Sequence, residues 1–298
     1  MQIKKLSGLI AAPFTALTED GEVNYSMISR QVQQLIADGV KGAYVCGSSG
    51  EGISLSLDER LKILEEWKRA ADGKLTLIAH IGALSPKDIE VMAHKARELE
   101  YDAFSVIPTT FFRPANEEYL VKYCAMVAAM APELPFYYYH TMNSLVNLSM
   151  RRFLELADGV IPNLAGIKFN HHNMYEFQNC LHVANGKYDI VFGVDEFFAG
   201  ALALGAKAFI GSTYNYSAEL YHKIWQAFDA GDWQTVEKYM HKVCKGVDLL
   251  VENGGGITAG KAMMQIKGME FGPCRLPLRQ LSAQERKAIA DAMKEIIG

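Results

Sequence analysis

The sequence predicts an α/β fold, a (β/α)8 barrel (TIM barrel) with a C-terminal three-helix extension. Three observations carry that expectation. Eight short runs rich in Ile, Val, Phe and Tyr recur through the first two-thirds of the chain, around Ile10, Tyr44, Ile78, Ser105, Tyr137, Ile167, Phe192 and Phe209. Helical patterns with their own start signals separate these runs, and alternation of strand and helix points to a parallel sheet. The runs are continuously apolar rather than alternating, as strands covered on both faces are. A doubly wound open sheet is the competing arrangement, but it usually has fewer strands, and no Gly-x-Gly-x-x-Gly follows the first run.

Taken in order, the first run spans residues 6–17 behind Lys4 and Lys5, which superficially resembles a secretory leader. Pro13 interrupts it and a Glu19-Asp20-Gly21 turn follows, so it reads as a buried strand with an exit loop. The second run passes directly into Gly47-Ser48-Ser49-Gly50-Glu51. A capping box at Ser56-Leu57-Asp58-Glu59 then opens a helix whose inward stripe is Leu57, Leu61 and Leu64. After the third run, Ser85-Pro86-Lys87-Asp88 supplies an N-cap, a first-turn proline and an early acid, followed by Ile89, Met92, Ala96 and Leu99 at helical spacing. Beyond Tyr216 the strand signal stops, leaving helical stretches near 232–252, 256–268 and 282–297. The chain is accordingly divided into a catalytic barrel over 1–230 and a helical extension over 231–298 packed on it.

Composition excludes several classes. Lys and Arg number 30 against 34 Asp and Glu, a net charge of −4, so no basic field exists to attract nucleic acid. No run reaches the length of a bilayer span, which argues against a membrane partner. Cys46, Cys124, Cys180, Cys244 and Cys274 are odd in number and scattered, suggesting neither a disulfide framework nor a zinc site and fitting a reducing cytoplasm.

Barrel chemistry sits at the C-terminal ends of strands. There the Gly-Ser-Ser turn at 47–49 offers amides and hydroxyls to a carboxylate, or simply makes a strand-to-helix turn. Lys168, between Ile167 and Phe169, is either a desolvated amine of lowered pKa or a side chain lying outward along the helices. In the fifth run, Tyr137-Tyr138-Tyr139, one tyrosine face must point inward, as packing or as a proton-transferring phenol whose pKa a cationic imine on Lys168 would lower. Gly193, Asp195, Glu196 and Ser212 bring carboxylates, a hydroxyl and exposed carbonyls suited to a polyol, although the two acids also fit a helix first turn. His171-His172 looks like a metal pair, but adjacent residues do not converge on one ion, and no metal is expected.

The Gly47-Ser48-Ser49-Gly50-Glu51 turn, the tyrosines ending at Tyr139, Gly166-Ile167-Lys168-Phe169 and Gly211-Ser212-Thr213-Tyr214-Asn215 together resemble the dihydrodipicolinate synthase superfamily, in its N-acetylneuraminate lyase branch. The resemblance implies a class I aldolase that cleaves open-chain sialic acid reversibly to pyruvate and N-acetylmannosamine. It implies Lys168 as the Schiff-base amine, Tyr139 as the proton carrier, and Ser48 and Ser49 on the substrate carboxylate, with Ser49 relaying a proton to Tyr139. Asn170, Gly193, Asp195, Glu196 and Ser212 complete the substrate contacts. Neither metal nor organic cofactor is implied, and a homotetramer is.

The synthases of this superfamily hold a second carboxylate with an arginine five residues after the tyrosine. Here that residue is Ser144. A buried carboxylate without that fork loses charge-assisted hydrogen bonds of about 1.5–3 kcal/mol each, which favours a polyol substrate. The segment His140-Thr141-Met142-Asn143-Ser144-Leu145-Val146 departs from the pattern of proline followed by threonine-glycine. That departure leaves open a pyruvate-dependent aldolase acting on another sugar acid or aldehyde. A catalytically silent binding protein for pyruvate or a sugar acid is a third reading, disfavoured because a sensor needs neither Lys168 nor Tyr139.

Overall fold

The computed structural model describes residues 4–107, 111–144 and 146–298; Leu145, within the divergent segment, lies outside these. Eight parallel strands close into a barrel in sequence order: β1 (Gly8–Ala11), β2 (Gly42–Val45), β3 (Thr76–His80), β4 (Ala103–Val106), β5 (Phe136–Thr141), β6 (Leu164–Asn170), β7 (Asp189–Phe192) and β8 (Ala208–Gly211). Each of the eight apolar runs is centred on one of them. Pairing of β1 with β8, from Gly8 opposite Ala208 to Ala11 opposite Gly211, completes the ring and leaves it without an edge.

Between and after the strands lie α1 (Ser26–Ala37), α2 (Leu57–Ala71), α3 (Pro86–Glu98), α4 (Glu117–Ala128), α5 (Met150–Ala157), α6 (Met174–His182), α7 (Phe198–Ala203) and α8 (Tyr214–Ala230). The expected caps are present: Ser56 and Glu59 bond reciprocally at the start of α2, and Ser85 accepts from Asp88 N–H at the start of α3. The stripe expected on α2 is rotated. Leu57 and Leu61 lie half-buried on its shoulder, while Arg60, Ile63, Leu64 and Trp67 form the buried face. Arg60 belongs there because its guanidinium donates to the carbonyls of His80 and Gly82, both at 2.9 Å, just where β3 ends.

Three helices follow, α9 (Trp233–Glu252), α10 (Gly255–Met263) and α11 (Ala283–Ile297). The helix expected over 256–268 tightens into a 3-10 turn at Met264–Lys267 and stops at Gly268, whose φ of 69° suits a residue without Cβ. Their apolar faces share one core with Phe14, Ala16 and Met27. At Gly260 of α10 a Cβ would sit 2.4 Å from the Phe14 ring, so the glycine permits that approach. Among the described residues no helix is long and apolar enough to cross a membrane.

Strand alternation divides the remaining apolar side chains. Ile10, Tyr44, Ile78, Ala103, Tyr137, Tyr139, Val191 and Ile210 fill the barrel, whereas Leu9, Tyr138, Ile167 and Phe169 pack against the helices.

Candidate active site

At the C-terminal ends of the strands a cavity of about 230 Å3 opens, and Ser49, Tyr139, Lys168, Asn170, Gly193, Asp195, Glu196 and Ser212 all line it. Its far wall comes from the C-terminal helices through Val247, Leu250, Val251 and Gly256, which the sequence reading did not connect with the site. A larger cavity, about 470 Å3, lies at the opposite mouth beside Lys4, Lys5, Lys41 and Asp102. Size does not select it, because that is the end of a barrel where loops serve stability.

Lys168 reaches the cavity because β6 carries a bulge. Phe136 pairs with Leu164 but Tyr137 pairs with Gly166, so Ala165 is an extra residue on β6. Ala165 points into the barrel while Ile167 and Phe169 point out, which turns Lys168 inward. Unbroken alternation from Ala165 would have sent it out among the helices. Gly166 makes the bulge feasible, since a Cβ there would stand 1.7 Å from the Asp189 carbonyl oxygen.

Tyr139 and Lys168 are register partners on adjacent strands. The lysine is 4% exposed, with Nζ 4.0 Å from the centre of the Tyr44 ring and 4.2 Å from that of Tyr139. Burial lowers its pKa, and the charges of Tyr139 and Asp195 oppose that only in part. Burial alone would raise the Tyr139 phenol, but the Lys168 charge and hydrogen bonds with Asn170, Ser48 and Thr141 outweigh it and leave it below an ordinary tyrosine. Asn170 Nδ2 donates to the phenol oxygen at 3.2 Å. The serine hydroxyl meeting Tyr139 is that of Ser48, where the resemblance implied a relay from Ser49; Ser49 instead lines the cavity.

Asp195 and Glu196 do open a 3-10 turn, Asp195–Phe197, but the Asp195 carboxylate is turned onto the end of β8. Its Oδ2 accepts from Thr213 N–H at 3.2 Å and from Thr213 Oγ1 at 2.7 Å, and burial pushes its pKa up to about 6 against those bonds. Gly211 makes room for it, because a Cβ at 211 would lie 1.9 Å from Asp195 Oδ1. The two adjacent histidines part company. His171 stacks on His140 with ring centres 5.3 Å apart, whereas His172 faces the cavity with Nε2 3.5 Å from Glu196 Oε1. His172 is thus a lining residue, a place that its adjacency to His171 does not signal in the chain.

Behind the site, His80 Nδ1 lies 3.1 Å from the Cys46 carbonyl and its Nε2 accepts from Ile107 N–H at 3.3 Å. Burial holds this ring neutral, with its pKa down to about 3. It thereby ties the start of the Gly-Ser-Ser turn to the end of β4.

Comparison with known proteins agrees with this geometry. The model of the dihydrodipicolinate synthetase family matches residues 5–296. The N-acetylneuraminate lyase of Rattus norvegicus is 38% identical over 97% of this chain and 92% of its own. The sialic acid aldolase structure from Aliivibrio salmonicida superposes with a TM-score of 0.97 at 46% identity, covering 99% of this chain and 98% of that one. The N-acetylneuraminate lyase of Proteus mirabilis gives 0.96 at 49% identity, with 98% and 99% covered. A match over nearly every residue, joined to a lysine and a tyrosine facing each other inside an eight-stranded barrel, makes this chain a member of the dihydrodipicolinate synthetase family.

Proposed function

We propose that the chain is a carbon–carbon lyase, a Schiff-base aldolase that cleaves N-acetylneuraminate reversibly to pyruvate and N-acetylmannosamine. The observation that carries the proposal is Lys168, a buried amine of lowered pKa beside the Tyr139 phenol at the barrel mouth. An uncharged amine is the nucleophile this chemistry needs.

The Lys168 amine attacks the C2 ketone of the open-chain sugar acid, and loss of water leaves a protonated imine. Tyr139, as phenolate, takes the C4 hydroxyl proton. Electrons of the C3–C4 bond flow into the imine, giving an enamine on Lys168 and releasing the aldehyde of N-acetylmannosamine. Tyr139 returns its proton to C3, and hydrolysis of the resulting imine frees pyruvate and the amine. The pyruvyl carboxylate is assigned to the turn carrying Ser48 and Ser49. Asp195, Glu196, Gly193 and Ser212 are assigned to the polyhydroxylated tail, and Asn170 to the phenol and the substrate beside it.

The synthase alternative, with its second carboxylate, lacks support. Ser144 is buried and its hydroxyl donates to the Thr141 carbonyl at 2.7 Å, so that position offers no cation. The remaining finer points belong to the same reading: a cytoplasmic enzyme, supported by five unpaired cysteines, with a barrel over 1–230 and an appended unit over 231–298. A homotetramer belongs to this reading as what the family resemblance implies.

Borohydride reduction in the presence of pyruvate tests the chemistry. One peptide, that containing Lys168, should gain the mass of a reduced adduct, and N-acetylneuraminate should be cleaved. Equal trapping by a Lys168→Ala variant would remove the assignment.

A further inference from the structure

The turn assigned to the substrate carboxylate is held from outside the barrel strands. Glu51, its last residue before Gly52, has a φ of 55°, and Cys46 at its entry has a φ of 59°, so two non-glycine residues sit in the left-handed region. The backbone doubles back tightly enough that a Cβ on Gly52 would lie 2.0 Å from the Cys46 carbonyl oxygen. Such a shape persists only where the surroundings fix it.

Thr15 Oγ1 donates to the Gly50 carbonyl at 2.7 Å and His80 holds that of Cys46, but the contacts on Glu51 come from α10 and from the segment joining it to α11. Glu51 Oε1 accepts from Lys261 Nζ of α10 at 2.8 Å, and Oε2 accepts from the backbone N–H of Arg275 at 2.8 Å. Both charged side chains are 1% exposed. Lys261 also donates to the Pro273 carbonyl at 2.6 Å, and the Arg275 guanidinium reaches the Ser54 and Gly21 carbonyls at 2.9 and 3.0 Å. A fully buried ion pair gives little stability over apolar side chains of equal volume, but it does impose direction. The direction imposed here ends two residues from Ser49.

We infer that Lys261 is a positioning residue: acting through Glu51, it holds the Ser48-Ser49 turn in the shape that receives the substrate carboxylate, which makes the C-terminal helices a working part of the site. The inference rests on the aldolase reading, and it separates the two substrates of the synthetic direction. Pyruvate presents its carboxylate to this turn, whereas N-acetylmannosamine does not.

The test compares the wild type with Glu51→Gln and with the double variant Glu51→Gln/Lys261→Met, which leaves no buried charge unpaired. The concentration of pyruvate giving half-maximal borohydride trapping, and its KM in synthesis, should rise at least tenfold in the double variant and by a smaller factor in Glu51→Gln. The KM for N-acetylmannosamine should stay within twofold while that for pyruvate rises, a split that expresses lost binding at one subsite; kcat is no part of the criterion, because Ser48 of the same turn also hydrogen-bonds the Tyr139 phenol. General loosening would move both KM values together, and that result, or an unchanged pyruvate KM in a folded variant, overturns the inference. If the double variant does not fold, as judged by circular dichroism, Glu51→Gln decides by the same measurements. Failure of the wild type to trap pyruvate would bring down the aldolase reading itself, and this inference with it.

Discussion

Lys168 and Tyr139 divide the proposed chemistry, and their variants should divide it too. Tyr139→Phe keeps the ring that packs against Lys168 but removes the proton carrier. It should still form the trapped pyruvate adduct while turnover falls about 10²–10⁴-fold, the usual range for a lost general acid–base; full turnover would remove the phenol from the mechanism. Asp195 makes a second prediction with a defined sign. Its carboxyl titrates near 6 in the fold against an ordinary 3.8, so the folded chain holds the proton more tightly than the unfolded chain. The stability linked to that proton is present below pH 3.8 and is lost as pH rises through 6. Asp195→Asn, which stays neutral, should therefore be more stable than the wild type at pH 8 by up to about 3 kcal/mol and melt at a higher temperature, with no gain at pH 3.5. Thermal melts at the two pH values check it. At this scale the motifs were legible, since Lys168, Tyr139 and the Gly-Ser-Ser turn stand out in the chain. The direction of Lys168 was not legible, because an extra residue in β6 changes the inward phase without altering the apolar pattern around it.

Among the elements, β6 is the least tolerant. Gly166→Ala would drive a methyl into the Asp189 carbonyl of β7, with backbone on both sides and no flexible side chain to yield. It should cost on the order of 3 kcal/mol or more and abolish pyruvate trapping even where protein is recovered. Ser56→Ala on α2 is the mild contrast. It removes one side of a capping box at an exposed helix start and should cost about 1 kcal/mol, read from denaturant midpoints, with activity unchanged. Caps, prolines and apolar spacing made helix starts readable, because those signals act within a few residues. Arg60 on the buried face of α2 escaped notice because its partners, the carbonyls closing β3, are brought to it only by the fold.

For the whole molecule, one question is whether the last three helices are dispensable. They share a core with Phe14, Ala16 and Met27, and they wall the cavity through Val247, Leu250, Val251 and Gly256. A chain ending at residue 230 should leave that apolar surface in water and aggregate, as sedimentation of the expressed fragment would reveal. Soluble, pyruvate-trapping fragment would contradict this. The barrel itself was legible from alternation of elements, a repeated local signal. The dependence of the site on α9 and α10 was hidden, because contacts between distant residues leave no periodicity in the chain. The pairing of Glu51 with Lys261 spans 210 residues, and this bears on how the protein is born. At about 5–20 residues per second, a ribosome delivers the lysine roughly 10–40 seconds after the glutamate. Through that interval the nascent barrel carries an acid whose countercharge has not yet been synthesised, so the pocket takes its final form only after Lys261 has been made.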